Sequence, residues 1–402
     1  MKSRLQETIT KVPPVFLGLI PLFVFAHFGH HLLTAIAIPL SPFIRSEFAL
    51  SYTQAGLLMS AFTIAYGISQ LPSGWLADHI GPRVMITIGV CGVGITGVLV
   101  GVSQTYVLAA VFLALMGAMG GAYHPAAAPM ISASVDIKKR GQALGLHMIG
   151  GSASYFVAPL AAAAIAMAWG WRGAYLSLSI PTVAFGIAFY WLLGRRNIIE
   201  RATRGATDEK NSGLFTPSQR RRLAALIILS TSTHAIMHSA MAFIPLYMVD
   251  KFGMSLGGAA AAMALYYSAG LWAGPLGGYV SDRVGAMPIL VFICLIAGPV
   301  VYLFNLMPGG MSIGVLLVIL GAIAFVRMPV SESYIVGHTP ERNRSTVLGI
   351  YFFGNMEGGG LLLPVVGLII DQFGFYMSFT IAGIATLIVA SACSLFIWKN
   401  KD

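Results

Sequence analysis

The sequence predicts an all-α integral membrane protein with twelve transmembrane helices, arranged as two pseudo-symmetric bundles of six. Charged residues make up 9% of the 402 positions and the mean hydropathy is +0.81, whereas soluble domains carry about 25% charged residues. The apolar residues form runs long enough to cross a bilayer, and one loop sequence occurs twice at a fixed interval. A soluble enzyme and a disordered regulator are therefore excluded.

The membrane spans are separated by charged residues and turn residues. An α-helix needs roughly 20 mostly apolar residues to cross the hydrocarbon core, and the chain contains twelve such runs. We predict spans 1 to 12 at 15–43, 52–77, 84–102, 106–131, 143–167, 173–193, 223–249, 256–280, 287–306, 312–336, 345–369 and 374–398. Span 1 is too long for the core of a signal peptide, so we expect it to stay in the mature protein.

The positions of Lys and Arg predict the orientation, because positively charged loops are retained in the cytoplasm. With the N-terminus inside, every Lys and Arg falls on the cytoplasmic side except Arg45, Arg172 and Lys251 in outer loops and Arg327 inside span 10. The net charge of +10 is then a topology signal and does not indicate a nucleic-acid partner. We expect a multi-pass protein of the inner membrane with both termini in the cytoplasm.

An internal repeat relates the two ends of the chain. The segment that begins at Gly74 and reads Gly-x-x-x-Asp-x-x-Gly to Gly81 recurs from Gly278 to Gly285, at an interval of 204 positions. The same interval relates Arg140 to Arg344, His124-Pro125 to Met328-Pro329, and Trp169-Gly170-Trp171 to Phe373-Gly374-Phe375. We therefore predict two six-helix bundles, 1–193 and 223–402, joined by a basic cytoplasmic linker at 194–222.

Twelve spans in two halves, a long central loop and the duplicated loop motif resemble the major facilitator superfamily. The resemblance implies alternating-access transport and no enzymatic activity. In that family the loop motif latches the cytoplasmic gate, which implies gating roles for Gly74, Asp78, Gly81, Arg83, Gly278, Asp282 and Arg283. A purely structural staple between helices is the alternative.

Within the superfamily, the sequence is similar to the fosmidomycin-resistance type of efflux carrier. The similarity lies in Gly117–Pro125 of span 4, in Arg140–Ala143 and in Gly150-Gly151 of span 5. It implies export of a small solute, so we favour export over uptake.

Three residues that are ordinarily charged at neutral pH fall inside predicted spans: Arg327 and Glu332 in span 10, and Glu357 in span 11. Charged groups at membrane depth are costly and mark pathways or proton relays. An arginine binds a carboxylate or phosphonate through two parallel hydrogen bonds, so we predict that Arg327 binds substrate and that Glu357 and Glu332 carry protons. An ion pair of Arg327 with Glu357 or Glu332 that holds spans together is the alternative. We add His124, Tyr123 and Asn355 to the predicted substrate-binding residues.

Histidines are the second group of candidates. His27, His30 and His31 lie in span 1, and His234 and His238 lie in span 7. Spans 1 and 7 line the central cavity in the superfamily, so we expect the two sets to face each other. We predict proton coupling by His27, His31, His234 and His238, with His31 and His238 also binding substrate. Hydrogen bonding between helices and a path for a transition metal are alternatives.

We therefore expect a proton-coupled secondary active transporter of a small anionic or amphiphilic organic solute, working as a monomer. Its partners are the solute, protons and the lipid bilayer. We expect no cofactor and assign no metal ligand. Uptake of an organic acid, transport of a transition metal or metal chelate, and a non-transporting sensor on the same fold remain alternatives. A channel is disfavoured because the sequence has no pore-forming segment.

Overall fold

The computed structural model describes residues 19–135, 140–194, 217–339 and 341–399, and within these ranges it contains helices and no β-strand. The helices are Ile20–Thr34, Ser41–Phe48, Tyr52–Ile80, Pro82–Val102, Tyr106–Gly120, Tyr123–Ala133, Arg140–Gly194, Pro217–Met241, Ile244–Phe252, Leu256–Val284, Ala286–Leu303, Met311–His338 and Glu341–Lys399, with a 3₁₀ turn at Phe304–Leu306. The predicted start of span 1 at 15, most of the linker at 194–222 and the Lys and Arg residues of both chain ends, apart from Lys399, lie outside the described residues.

The helices form the twelve predicted spans. Seven of the described helices are long and apolar enough to cross a membrane, and two of these seven contain two spans each. Helix Arg140–Gly194 has a kink at Trp169 and Gly170, and Glu341–Lys399 has one at Gly374. Spans 2 and 8 are 29-residue helices of lower hydropathy, and span 1 consists of two shorter pieces. The predicted fold class is therefore confirmed.

The chain reverses direction at the kink between spans 5 and 6. Arg172, just after the kink, donates to the carbonyl oxygen of Ser103 at the end of span 3 (2.7 and 2.8 Å). Arg83, at the start of span 3, donates to the carbonyl oxygen of Tyr190 (2.9 Å). Span 6 therefore runs antiparallel to span 3 along its full length.

Three spans that we predicted as continuous helices are interrupted. Span 1 breaks between Thr34 and Ser41, span 4 at 121–122 and span 7 at 242–243. Prolines at or beside these breaks lack the amide hydrogen that an uninterrupted helix needs. Pro42 and Pro245 instead occupy the first turn of the second helical piece, where a proline is tolerated.

The internal repeat is visible in the backbone conformation as well as in the sequence. Residues 204 positions apart share positive φ angles: Ala49 and Gly253 at 50° and 63°, Gly81 and Gly285 at 93° and 96°, and Gly170 and Gly374 at 72° and 75°. Glycine adopts these angles without steric cost, which accounts for its presence at five of the six positions. The two halves thus turn at corresponding points.

Spans 2 and 11 join the two halves. A small apolar core contains Ala55 and Met59 from span 2 together with Leu363 and Val366 from span 11. A Cβ atom at Gly56 would stand 2.5 Å from the carbonyl oxygen of Leu363, so the two backbones approach closely because this residue is glycine. Ser60 also donates to the carbonyl oxygen of Gly360 (2.8 Å).

Polar contacts close one end of this interface. We call the end that carries Arg45, Tyr52, Asp250 and Asp371 the latch end, and the opposite end, with the turns at Gly81 and Gly285, the motif end. Arg45 Nη1 lies 3.0 Å from Asp250 Oδ2, and the Tyr52 hydroxyl donates to the same oxygen.

Asp371 makes the second polar contact of the latch end. It accepts hydrogen bonds from the backbone amides of Tyr52 and Thr53 (2.8 Å each) and from the Thr53 hydroxyl (2.6 Å). A carboxylate from one half therefore sits at the N-terminus of a helix in the other half, where negative charge is stabilised.

We expect Asp371→Asn to loosen the latch end at neutral pH. Asp371 lies just beyond span 11; burial raises its pKa, but hydrogen bonds from Thr53 and Tyr52 outweigh burial and hold the pKa below its ordinary value. The ionised Asp371 carboxylate therefore stabilises the latch end fully when the pH is above the ordinary pKa of aspartate. This stabilisation is lost as the pH falls through the lowered pKa of Asp371. Because Asp371 is exposed, the contribution is about 1 kcal/mol, roughly a fivefold change in the ratio of closed to open molecules.

Distances between spin labels across the latch end measure this effect. Labels at Gln104→Cys and Met311→Cys, both exposed, report on opposite halves in a background without native cysteines. Asp371→Asn should broaden and lengthen the distance distribution at neutral pH. The control Glu47→Gln breaks a contact with Arg172 inside the N-terminal half and should not. Identical distributions for both variants would contradict the latch role of Asp371.

Candidate functional site

Arg327 lies in the middle of span 10 and is 2% exposed. Its Nη1 donates to the carbonyl oxygen of Ser230 (3.0 Å) and to the Ser230 hydroxyl (2.6 Å), and it lies 3.4 Å from the Tyr351 hydroxyl. Its Nε has no hydrogen-bond partner among the described residues. The buried cation is therefore held by neutral groups of spans 7 and 11.

The alternative ion pair of Arg327 with Glu332 or Glu357 is absent from this conformation. In the described part of the chain, the ion pairs within 4.0 Å join Arg45 to Asp250 and Arg172 to Glu47. No described carboxylate oxygen therefore lies within 4.0 Å of the Arg327 guanidinium, which makes this region a candidate anion site.

Asn355 lies one helical turn beyond Tyr351 on the same face of span 11. Its side-chain nitrogen donates to the carbonyl oxygen of Tyr351 (2.9 Å), and its Oδ1 has no partner among the described residues. Asn355 is buried. Asn355 and Arg327 thus both contact Tyr351, one at its backbone and the other at its hydroxyl, and substrate binding by Asn355 stays a prediction.

Glu357 lies where the two halves meet. It is 6% exposed and its Oε1 has no hydrogen-bond partner within the described ranges. Its carboxyl group packs against Gly67 of span 2, and a Cβ atom at Gly67 would overlap it. Glu332, by contrast, is half-buried on span 10. A buried carboxyl group therefore contacts the opposite half through a glycine.

Five histidines of the N-terminal half form one group, which we call the histidine cluster: His27, His30 and His31 of span 1, His124 of span 4 and His147 of span 5. The rings of His27 and His147 stack with centroids 4.1 Å apart, and His31 Nε2 lies 3.3 Å from His124 Nε2. Tyr123 is buried beneath the cluster and stacks on His30 at 4.8 Å. Its hydroxyl donates to the carbonyl oxygen of Phe23 (3.4 Å).

His234 and His238 of span 7 lie apart from this cluster. Their ring centroids are 5.5 Å apart, and Nδ1 of each ring lacks a partner in the part of the chain that the structure describes. His238 packs against Gly359 of span 11. Each set of histidines therefore packs within its own half, and a face-to-face arrangement of the two sets stays a prediction.

The predicted gating residues make contacts inside their own halves. Arg83 stacks on the Tyr190 ring (3.7 Å) and Arg283 on the Tyr279 ring (4.3 Å). Asp78 and Asp282 are exposed and form no ion pair with a described residue. A Cβ atom at Gly74 would stand 3.9 Å from Pro125 Cβ, and one at Gly278 would meet open space, so neither glycine marks a close helix contact. Among the described residues, none of these contacts joins the two halves at the motif end in this conformation.

Three residues of these sites, Ser230, Tyr351 and His147, were not among the predicted candidates, and His30 was a candidate without an assigned role. Ser230 and Tyr351 hold Arg327, and His30 and His147 belong to the histidine cluster. Serine and tyrosine occur throughout the spans, so no sequence signal distinguishes these two. His30 had such a signal, because it lies 204 positions before His234.

Comparison with curated proteins identifies relatives that carry small organic solutes or confer resistance. The chain is 23% identical to a fosmidomycin resistance protein of Escherichia coli (strain K12), over 96% of this chain and 93% of that protein. It is 23% identical to a cis,cis-muconate transport protein of Acinetobacter baylyi, over 89% of this chain and 88% of that protein. A probable L-galactonate transporter of Escherichia coli (strain K12) is 27% identical over 63% of this chain, and the match spans 60% of that relative's length.

Solved structures show the same fold. A POT family transporter in complex with a thioalcohol-conjugated peptide superposes with a TM-score of 0.81 at 14% identity, covering 95% of this chain and 96% of that one. A bacterial homologue of the human lysosomal transporter Spinster, in an inward-facing and occupied conformation, superposes with a TM-score of 0.74 at 18% identity, covering 96% of each chain. The family model of the Major Facilitator Superfamily matches residues 23–328. The chain belongs to the Major Facilitator Superfamily, and it is a multi-pass membrane transporter and not an enzyme.

Proposed function

We propose that this transporter moves a small organic anion across the inner membrane by alternating access, driven by protons. The observation that carries the proposal is Arg327, a buried cation whose described partners are neutral. A charge in a low-dielectric interior is costly unless an opposite charge compensates it. An anionic cargo supplies that charge, and the unpartnered Nε offers it a hydrogen bond.

The names of the relatives support an anion. The proteins to which the chain is similar include a probable L-galactonate transporter, a probable sulfoacetate transporter and a cis,cis-muconate transport protein, and these cargoes are organic acids. We propose that the anion binds between the two halves, with Arg327 and Asn355 on the C-terminal side and His124 on the N-terminal side. The other proposed substrate-binding residues are His31, His238 and Tyr123.

The contacts between halves support alternating access. Spans 2 and 11 are joined at the latch end, whereas the loop-motif residues make no contact between halves that the structure describes. If the basic loops of the motif end lie in the cytoplasm, as the positive-inside rule predicts, this conformation opens inward. We accordingly propose that both termini are cytoplasmic, that 1–193 and 223–402 are the two moving bodies and that the protein works as a monomer.

We propose export as the direction. Two relatives are named for resistance, the fosmidomycin resistance protein and a multidrug resistance protein of Escherichia fergusonii, and they match 96% and 88% of this chain. Resistance to a compound is what its outward transport produces. Proton coupling is then antiport, with Glu357, Glu332 and the histidines His27, His31, His234 and His238 as proton-carrying candidates.

Transport by purified protein in liposomes tests the proposal. A panel of organic acids, with neutral analogues of the same size, is first screened by thermal stabilisation and then assayed with an imposed pH gradient of either sign. We expect an acid to be carried against its own gradient when protons flow the other way. Preference for the neutral analogues would contradict the anion proposal. Saturable binding of an acid without transport would support a sensor instead.

We expect the combined change His31→Gln and His238→Gln to flatten the pH dependence of solute exchange. Imidazole changes charge near neutral pH, whereas the glutamine amide keeps hydrogen bonding without titrating. The measurement is the exchange rate in liposomes from pH 5.5 to 8, a range chosen to bracket roughly the ordinary pKa of histidine. The control His338→Gln alters an exposed histidine that stacks on Tyr334 and should keep the wild-type profile. An unchanged profile in the double variant favours hydrogen bonding between helices as the role of these histidines.

A further inference from the structure

We propose that the histidine cluster is a binding site for one transition-metal ion of the Zn²⁺ class, with His27, His124 and His147 as ligands. One ring nitrogen from each of these residues lies within 4.8 Å of the others. The three ligands come from spans 1, 4 and 5, so a bound ion would tie together three helices of the N-terminal half.

The hydrogen bonds of the cluster fix which ring nitrogens are free. Nδ1 of His27 donates to the carbonyl oxygen of His147 (2.9 Å), and Nδ1 of His147 donates to the carbonyl oxygen of Phe23 (3.2 Å). A carbonyl oxygen accepts and never donates, so the hydrogen is on Nδ1 and the lone pair is on Nε2. This arrangement, with one ring nitrogen bonded to a backbone carbonyl and the other free, is typical of metal-ligating histidines.

His27 provides the independent sign of a ligand. The residue is 1% exposed, and its Nε2 has no partner among the described residues. A buried acceptor without a donor is costly, and a metal ion satisfies it. Gly151 makes room for this ring, because a Cβ atom there would stand 2.5 Å from His27 Cε1.

The histidine cluster contains two overlapping groups that could hold a metal ion, and both include His124. His124 Nε2 lies 3.3 Å from His31 Nε2, so a metal ion bound through this nitrogen would replace its contact with His31. A second group of three, His30, His31 and His124, is also close enough for a metal. His30 is already engaged by Gly89 and Tyr66 at its two nitrogens, so we assign the first group.

The donor set determines the class of metal. The three ligands are imidazoles, which suit Zn²⁺, Ni²⁺, Co²⁺ and Cu²⁺, whereas Mg²⁺ and Ca²⁺ require oxygen ligands. Three protein ligands leave a fourth position, which water, hydroxide or another anion can occupy. His124 is partly exposed while His27 and His147 are buried, so the fourth position opens on its side. The site shares His27 and His124 with the proposed function, so a bound metal ion would remove His27 from the proton-carrying candidates while leaving Arg327 free to bind the anion.

Metal binding to the purified transporter tests the proposal. After treatment with a chelator and its removal, titration calorimetry with Zn²⁺ should show one site per chain, and Mg²⁺ should show none. His124→Gln and His147→Gln should each weaken Zn²⁺ binding at least about 10-fold. The control His338→Gln removes an exposed histidine outside the cluster and should leave the affinity unchanged.

A spectroscopic measurement on the wild-type protein tests the proposal even if the variants fail to fold. Co²⁺ in place of Zn²⁺ should give the intense visible absorption of a tetrahedral site, and excess Zn²⁺ should abolish it. Absence of that absorption, or equal Zn²⁺ affinity in wild type and both cluster variants, would overturn the proposal. Transport in the presence of a chelator is scored separately, so failure of the metal site is distinguishable from failure of anion transport.

Discussion

Arg327→Lys is expected to lower the transport rate of the anionic solute about 10- to 100-fold while the protein still folds. The guanidinium donates to Ser230 with Nη1 and keeps Nε for the cargo. A lysine ammonium keeps the charge but loses the planar arrangement of donors that serves both partners. Loss of one charge-assisted hydrogen bond, about 1.5–3 kcal/mol, corresponds to this range.

Initial uptake rates into liposomes measure this effect, with the solute identified by the panel described above. Arg221→Lys is the matched control. It makes the same chemical change outside the site, because Arg221 is exposed at the start of span 7. Wild-type transport by Arg327→Lys would refute the anion clamp.

Arg327→Gln separates lost binding from lost folding. Removing a buried charge that has neutral partners also removes its desolvation cost, so this variant should be at least as stable to heat as the wild type. It should no longer be stabilised by the anionic solute. A variant that unfolds on purification would instead assign Arg327 a structural role with Ser230 and Tyr351.

The turns of the chain could be predicted from its sequence because their cause is local. Gly81 and Gly285 occupy positions with φ near 95°, and that conformation requires glycine whatever surrounds it. The repeat interval of 204 residues therefore appears in the sequence and again in the backbone. The breaks in spans 1 and 7 were less predictable, since Pro39 and Pro245 indicate a bend but do not determine whether the helix kinks or stops.

The composition of the sites depended on packing between distant segments. His147 joins the histidine cluster because span 5 packs on span 1 at Phe23, 124 positions away. Glu357 meets Gly67 because spans 2 and 11 pair in one particular register, which a single sequence does not specify. The residue types at the centre of the bundle were thus predictable, while their partners were not.

Glu357→Gln is expected to abolish transport driven by the pH gradient while preserving exchange of solute for solute. The Glu357 carboxyl group packs against Gly67 of the opposite half with an unpartnered Oε1. An ionised carboxylate in this contact would be costly, so we expect the halves to close here when the group carries a proton and to separate when it is charged. Glutamine is neutral and has the same shape, so the contact forms at any pH and no longer depends on protonation of residue 357.

Two assays on the same liposomes separate these effects. Counterflow of labelled solute measures exchange without net proton movement, and accumulation under an imposed pH gradient measures coupling. Loss of both activities would indicate a structural or substrate-binding role for Glu357, and retention of both would exclude it from coupling.

The partner glycine supplies an independent test of the same contact. Gly67→Ala places a methyl group where the Glu357 carboxyl group lies, so the carboxyl group must rotate out of its contact with span 2. We expect accumulation under the pH gradient to fall while counterflow continues. Gly349→Ala is the matched control, because Gly349 is in span 11 and has open space around it. Gly67→Ala keeps the titrating carboxyl group but displaces it, whereas Glu357→Gln keeps the contact but removes the titration. Loss of coupling in both variants would therefore attribute proton dependence to the carboxyl group at its contact with span 2, and normal coupling in Gly67→Ala would show that this contact is not required.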